Sequence, residues 1–140
     1  MTSLREGVAA HVVLPIIWQR LVTTTGETCP RCSSTETEVD DAVATLTEVL
    51  GPLGIGPQLQ TRVLDQVSFD TAPAESNRIW IAGKPLEEWI GAMAGVSRCS
   101  SVCGEHDCRT VESGPSSYET VPAALIVKAG LMAAAALLPG

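Results

Sequence analysis

The sequence predicts an α/β fold: one sheet with flanking helices and a cysteine-rich loop inserted late in the chain. Three observations carry that prediction. A nearly continuous β-branched and aliphatic run, Val8 to Val22, reads as a buried strand. A capped amphipathic helix follows it, and a second alternating segment follows the helix. The last stretch, Val121 to Leu138, is strongly apolar and reads as a helix.

Val12, Val13, Leu14, Ile16, Ile17 and Trp18 suit a strand covered on both faces, and Pro15 marks its start or a bulge. Thr23 to Thr28 is a polar loop that ends at Cys29. Ser33-Ser34-Thr35-Glu36 has capping-box spacing, which predicts a helix over Ser34 to Leu50. Val39, Ala42, Val43, Leu46, Val49 and Leu50 recur on one face of it, and Gly51, Pro52 and Gly54 end it. Its inner face should meet a sheet containing Ile16, Trp18, Leu59 and Val63. Leu59 to Leu64 alternates as a strand, ended by Asp65.

Gln66 to Ser76 reads as a polar loop, Asn77 to Ile81 as a strand, and Ala82 to Pro85 as a turn. Leu86 to Ile90 fits a short strand or a helical turn. Ser97 to Cys108 is a cysteine-rich loop. Arg109-Thr110-Val111 and Tyr118-Glu119-Thr120 flank Gly114-Pro115 and read as a small hairpin. The final helix begins near Pro122, a favoured first position.

At 140 residues the chain is one domain, 1–140, with room for a core. Apolar residues make up 45% and aromatic residues only 4%, so that core is aliphatic. The formal net charge of −7 argues against nucleic acid, which needs clustered Lys and Arg. Met1 to Gly7 is polar and gives no signal-peptide pattern, so the expected compartment is the cytoplasm. Lys128 within Val121 to Leu138 argues for a buried helix over a membrane span. A homodimer is compatible with the composition. The segments show no internal repeat and no low-complexity tract.

The chemistry concentrates in five cysteines, an odd number that does not suit a pure disulfide framework. Cys29-Pro30-Arg31-Cys32 stands between the first strand and its helix. The first turn of a helix presents unpaired N–H groups and the positive end of the dipole, which favour thiolate over thiol. Cys29 is therefore the candidate nucleophile and Cys32 the resolving thiol one turn in. The distal loop spaces Cys99, Cys103 and Cys108 around His106, a soft donor set for zinc, copper(I), mercury or arsenite. No cofactor is specified beyond such a thiophilic metal. His11, Trp18, Trp80 and Trp89 read as core or groove residues, and Glu87-Glu88 as a solvated face. Arg78 and Arg98 read as solvent-facing, with the holding of an anionic substrate as the alternative.

A dithiol at a strand-to-helix turn, followed by strand, hairpin and final helix, is the thioredoxin-like plan. Several segments together also resemble one family: Glu27 to Cys32, Glu75 to Ile81, Gly83 to Trp89, Cys99 to Glu112, and Tyr118 with Val121-Pro122-Ala123. They are similar to small prokaryotic proteins grouped as a domain of unknown function, number twenty-seven-oh-three, of thioredoxin-like character. The resemblance covers the chain from about Ile17 onward and implies the fold and the pairing of C-x-x-C with a distal cysteine loop. It also implies adjacent cysteines at the start of that loop, where this chain has Cys99-Ser100. Thioredoxins carry a cis-proline before the strand facing the dithiol; here Glu75-Ser76-Asn77 stands at that place and Pro73 comes too early.

Two functions follow as expectations. One is thiol–disulfide oxidation, reduction or thiol transfer at Cys29 and Cys32 on a thiol, disulfide or small-molecule substrate. The other is soft-metal or metalloid binding by Cys29, Cys32 and the Cys99–Cys108 loop. A specialised small-molecule enzyme using a thiolate or thiolate-held metal is a weaker third.

Overall fold

The computed structural model describes residues 12–23, 26, 30–98 and 107–138. Their order is β1 (Val12–Leu21), α1 (Pro30–Leu50), β2 (Ile55–Leu64), α2 (Gln66–Thr71), β3 (Arg78–Ile81), β4 (Lys84–Pro85), α3 (Leu86–Ile90), β5 (Met93–Arg98), β6 (Asp107–Ser113), β7 (Ser116–Tyr118) and α4 (Ala123–Leu137). The fold is mixed α/β, with a four-stranded sheet in the order β2-β1-β3-β4 and a three-stranded sheet in the order β5-β6-β7.

β1 pairs in parallel with β2 along its whole length, from Val12 opposite Ile55 to Leu21 opposite Leu64. On its other edge it pairs antiparallel with β3, from Ile16 opposite Ile81 to Gln19 opposite Arg78. β3 returns as β4 through Ala82 and Gly83, both at positive φ (53° and 81°), as a two-residue primed turn requires. The second sheet is antiparallel throughout, and Val111 faces Tyr118 in the expected hairpin.

α1 and α4 pack side by side against one face of the larger sheet. Leu14, Ile16 and Trp18 of β1, with Ile79 and Ile81 of β3, meet Val39, Ala42 and Leu46 of α1 and Ile126, Ala129 and Ala133 of α4. Gly130 lets the helices approach: a Cβ there would sit 2.7 Å from Leu46 Cδ1, closer than side chains tolerate.

Five expectations are corrected. β1 is not covered on both faces, since Val13 is 49% exposed and Pro15 is exposed. Pro15 lies inside the strand. Its carbonyl accepts from Ala82 N–H at 2.8 Å, so its missing donor faces the β3 side just past the Ile16–Ile81 pair, where proline forgoes only the reciprocal bond at the end of the ladder. Val63 turns to solvent at 59% exposure because β2 is an edge strand that outruns α1. The helix starts at Pro30 rather than Ser34, with proline in the first helical position. Finally, Gln66–Thr71 is helical, because the Asp65 side chain accepts from Ser68 N–H at 2.8 Å and caps it.

β5 departs from the sequence expectation, which puts Ser97 and Arg98 in a loop. Its sequence, MAGVSR, has one large aliphatic residue and a glycine. Gly95 is needed there: a Cβ would meet Glu112 Oε2 at 2.7 Å and Thr110 Oγ1 at 2.8 Å. Ser97, Arg98, Asp107 and Cys108 therefore belong to paired strands, which corrects both ends of the expected cysteine loop; residues 99–106 lie outside the described residues.

Candidate functional site

The crossover from β1 to β2 puts the start of α1 at the C-terminal end of β1. There Val22 N–H still bonds Leu64 C=O at 3.1 Å. Cys32 lies in the first turn of α1 and is 1% exposed. Cys108, on β6 opposite Ser97, is likewise 1% exposed. Of the other predicted ligands and nucleophiles, Cys29, Cys99, Cys103 and His106 lie outside the described residues. Among the described residues alone, no group of three or more Cys, His, Asp and Glu is placed to hold a metal.

Arg31 joins the two motifs. Its side chain turns inward and is 7% exposed. Nη1 donates to the Arg109 carbonyl at 3.2 Å, and Nη2 donates to the Arg98 carbonyl at 3.2 Å. Those carbonyls belong to β6 and β5, the strands that carry the loop 99–106. The Glu119 carboxylate lies 3.6 Å from Nη2 but is itself 63% exposed. The helix start and the stems of the cysteine loop thus occupy one end of the molecule.

One turn beyond Cys32, a buried polar chain underlies the helix start. Thr35 is fully buried, and its Oγ1 accepts from Val121 N–H at 3.2 Å and from Asn77 Nδ2 at 3.0 Å. Asn77 Oδ1 accepts from Trp18 Nε1 at 3.0 Å, and Asn77 Nδ2 also donates to the Glu119 carbonyl at 3.3 Å. Thr35 is therefore not part of a cap; it holds α1, β1, the entry to β3 and the entry to α4 together. Asn77 adopts φ +61°, a left-handed conformation that asparagine tolerates better than most residues. It leads into β3, and no cis peptide occurs among the described residues.

Glu87 overturns the solvated-face reading. It is 6% exposed, and its Oε2 accepts from Arg109 Nε at 3.2 Å and Nη2 at 2.9 Å. Arg109 Nη1 donates to the Ala74 carbonyl at 2.9 Å. Glu87 Oε1 is buried with no hydrogen-bond partner. Glu87 and Glu88 are adjacent on a one-turn helix, so nothing in the sequence separates the buried carboxylate from its neighbour. Arg78 is held by Glu75 at 2.9 Å and stacks on Trp80 at 4.6 Å, so it is committed within the protein. On the three-stranded sheet, hydroxyl donors from Thr110 and Ser117 hold the Glu112 carboxyl below its usual range.

This end of the molecule holds a buried thiol, Cys32, next to an inward guanidinium that reaches β6, the strand of a second buried thiol, Cys108. No helix among the described residues is long and apolar enough to cross a membrane. The roles of Arg31, Arg109, Glu87 and Asn77 were not legible in the sequence. Arg31 and Arg109 stand beside cysteines within segments that carry the family resemblance, and neither fact shows where their side chains turn.

Comparison with known proteins identifies the family. The model of the domain of unknown function DUF2703 matches residues 14–130, and the chain belongs to that family. An uncharacterized protein of Archaeoglobus fulgidus is 45% identical over 113 residues, which span 81% of this chain and 82% of that protein. No solved structure matches the chain.

Proposed function

We propose that this member of the DUF2703 family is a thioredoxin-like thiol protein that exchanges disulfides through Cys29 and Cys32. The observation that carries the reading is the position of Cys32, buried in the first turn of the helix that follows the central strand. The sheet order β2-β1-β3-β4, with β2 parallel and β3 antiparallel to β1, supports the thioredoxin-like plan. In this reading the Cys29 thiolate attacks a substrate disulfide, forming a mixed disulfide and releasing one thiol. The Cys32 thiolate then displaces the second substrate thiol, leaving a Cys29–Cys32 disulfide. An external thiol reductant returns the pair to dithiol, which suits a reducing compartment such as the cytoplasm.

The test is disulfide reduction by the full chain with dithiothreitol as reductant. Cys29→Ser should abolish turnover, Cys32→Ser should trap the mixed disulfide, and Cys29 should titrate below the ordinary thiol value of about 8.5. An ordinary Cys29 titration, or turnover that survives Cys29→Ser, overturns the proposal.

A second reading is favoured by the contact of Arg31 with both loop stems. Cys29 and Cys32 would then complete a soft-metal or metalloid site with Cys99, Cys103, Cys108 or His106. Protein purified without reductant distinguishes the two: stoichiometric tightly bound metal with no disulfide selects the metal site.

A further inference from the structure

We infer that Arg31 is a positioning residue that fastens the end of β5 and the start of β6 to the first turn of α1, so that these three segments open as one unit. The consequence for exchange rests on the thiol reading above; the mechanical coupling does not.

Three observations carry it. First, the guanidinium reaches two main-chain carbonyls on two different strands, Arg98 on β5 and Arg109 on β6, each at 3.2 Å. Two acceptors set apart in this way suit a planar fork with fixed donors; an ammonium is a point charge and cannot span them. Second, the group is buried while its counter-charge among the described residues, Glu119 at 3.6 Å, is 63% exposed. Burying a cation with so weak a partner is costly, and an aliphatic residue would fill the space more favourably. The two directional bonds are what an aliphatic residue could not supply. Third, the connection continues past Arg31. The residue whose carbonyl it binds, Arg109, sends its own side chain to Glu87 and to the Ala74 carbonyl. Two arginines in series thus pin β6 between the start of α1 and the segment that leads into β3.

Cys32 follows Arg31 in the chain and Cys108 precedes Arg109, so each buried thiol is one residue from the fastening. Releasing Arg31 must loosen both. In the exchange reading, Arg31 then governs when Cys32 is admitted to the mixed disulfide, and it is not itself a substrate contact.

The experiment measures iodoacetamide labelling of Cys32 and Cys108 in the fully reduced chain, read by peptide mass spectrometry, with hydrogen exchange in parallel. Arg31→Met should speed labelling of both cysteines roughly tenfold or more, the scale of losing hydrogen bonds from a charged donor. Arg31→Lys, which keeps the charge and one bond, should restore part of that protection. Glu119→Gln should change neither rate by more than about twofold, because its carboxylate is exposed and 3.6 Å from the guanidinium. Protection of amides in β2 and the middle of α4 should stay as in the parent protein.

Faster labelling of Cys32 with Cys108 unchanged overturns the inference, and so does loss of protection spread evenly through the molecule. Should Arg31→Met fail to fold, the parent protein in subdenaturing urea decides. First-turn amides of α1 and the stem amides of β5 and β6 should share one opening free energy, and separate values overturn the coupling. Shared opening without disulfide turnover overturns the thiol function alone; turnover with independent opening overturns the fastening alone.

Discussion

Leu14, Ile16, Trp18, Ile79 and Ile81 give the four-stranded sheet an inner face of aliphatic and aromatic carbon, all at 2% exposure or less. The three-stranded sheet buries a different run: Cys108, Arg109, Thr110 and Val111, consecutive residues on β6. The first sheet needs only the hydrophobic effect to know which face is in. The second is attached by two guanidiniums, Arg31 and Arg109, each aimed at particular carbonyls or a carboxylate. Apolar burial decides which side of a strand turns inward, but it is non-directional and fixes position loosely. Ionic hydrogen bonds add little net stability once desolvation is counted, yet they reject displaced arrangements because a missed partner is expensive. The region that the sequence marks for chemistry is held by the second kind of contact.

The largest expected effect breaks the apolar side of this comparison. Trp18→Ala removes a buried ring and leaves Asn77 Oδ1 without its donor; urea unfolding should show a loss of about 4 kcal/mol. A loss below about 1 kcal/mol would mean that the sheet does not depend on its apolar face.

Next comes the ionic side. Glu87→Leu leaves Arg109 buried without its carboxylate, and about 3 kcal/mol should be lost. Adding Arg109→Met to that variant should recover most of it, to within about 1 kcal/mol of the parent protein. A double-mutant cycle with no coupling between the two positions would show that the pair is not what anchors β6.

Gly130→Val tests the packing between helices, away from the second sheet. The new side chain must displace Leu46, for a cost of about 2 kcal/mol in urea unfolding. Unlike Arg31→Met, it should not speed the labelling of Cys32 and Cys108 as a pair.

The smallest effect is at Asp65, whose carboxyl is held below its ordinary value by the Ser68 N–H and hydroxyl. A carboxyl with a folded pKa below its unfolded one contributes stability above the unfolded value. That contribution is lost as pH falls through the folded one. Unfolding midpoints measured from about pH 5 down to about pH 2 should therefore fall less steeply in Asp65→Asn than in the parent protein. An identical slope would show that the cap carries no proton linkage.

The same division explains what could be read from the chain. The helix over Ser34 to Leu50, the β3 strand, the small hairpin and the C-terminal helix were legible, because each has an apolar period or a turn signal of its own. β5 was not, because its residues pair and cross with polar neighbours instead of filling a core. The true start of α1 was hidden behind a capping-box spacing whose Thr35 serves a tertiary purpose. At the candidate site the cysteines were visible as reactive types, whereas the inward turn of Arg31 and the burial of Glu87 come from contacts 78 and 22 residues away in sequence. No local pattern records such contacts.

The bond from Val121 N–H to Thr35, with that from Ala123 N–H to Glu38 at 2.8 Å, has a consequence for how the molecule is made. The partners lie 86 and 85 residues apart, so the inner side of α1 finds its last neighbour only when α4 has been synthesised. A chain emerging from the ribosome has β1, α1 and β2 in hand early, but Leu46 and Ala42 have no α4 to pack against until then. The nascent protein must wait in a state with exposed hydrophobic surface, the kind of state that aggregates or recruits chaperones. The final helix therefore works as the closing step of folding as well as a wall of the core.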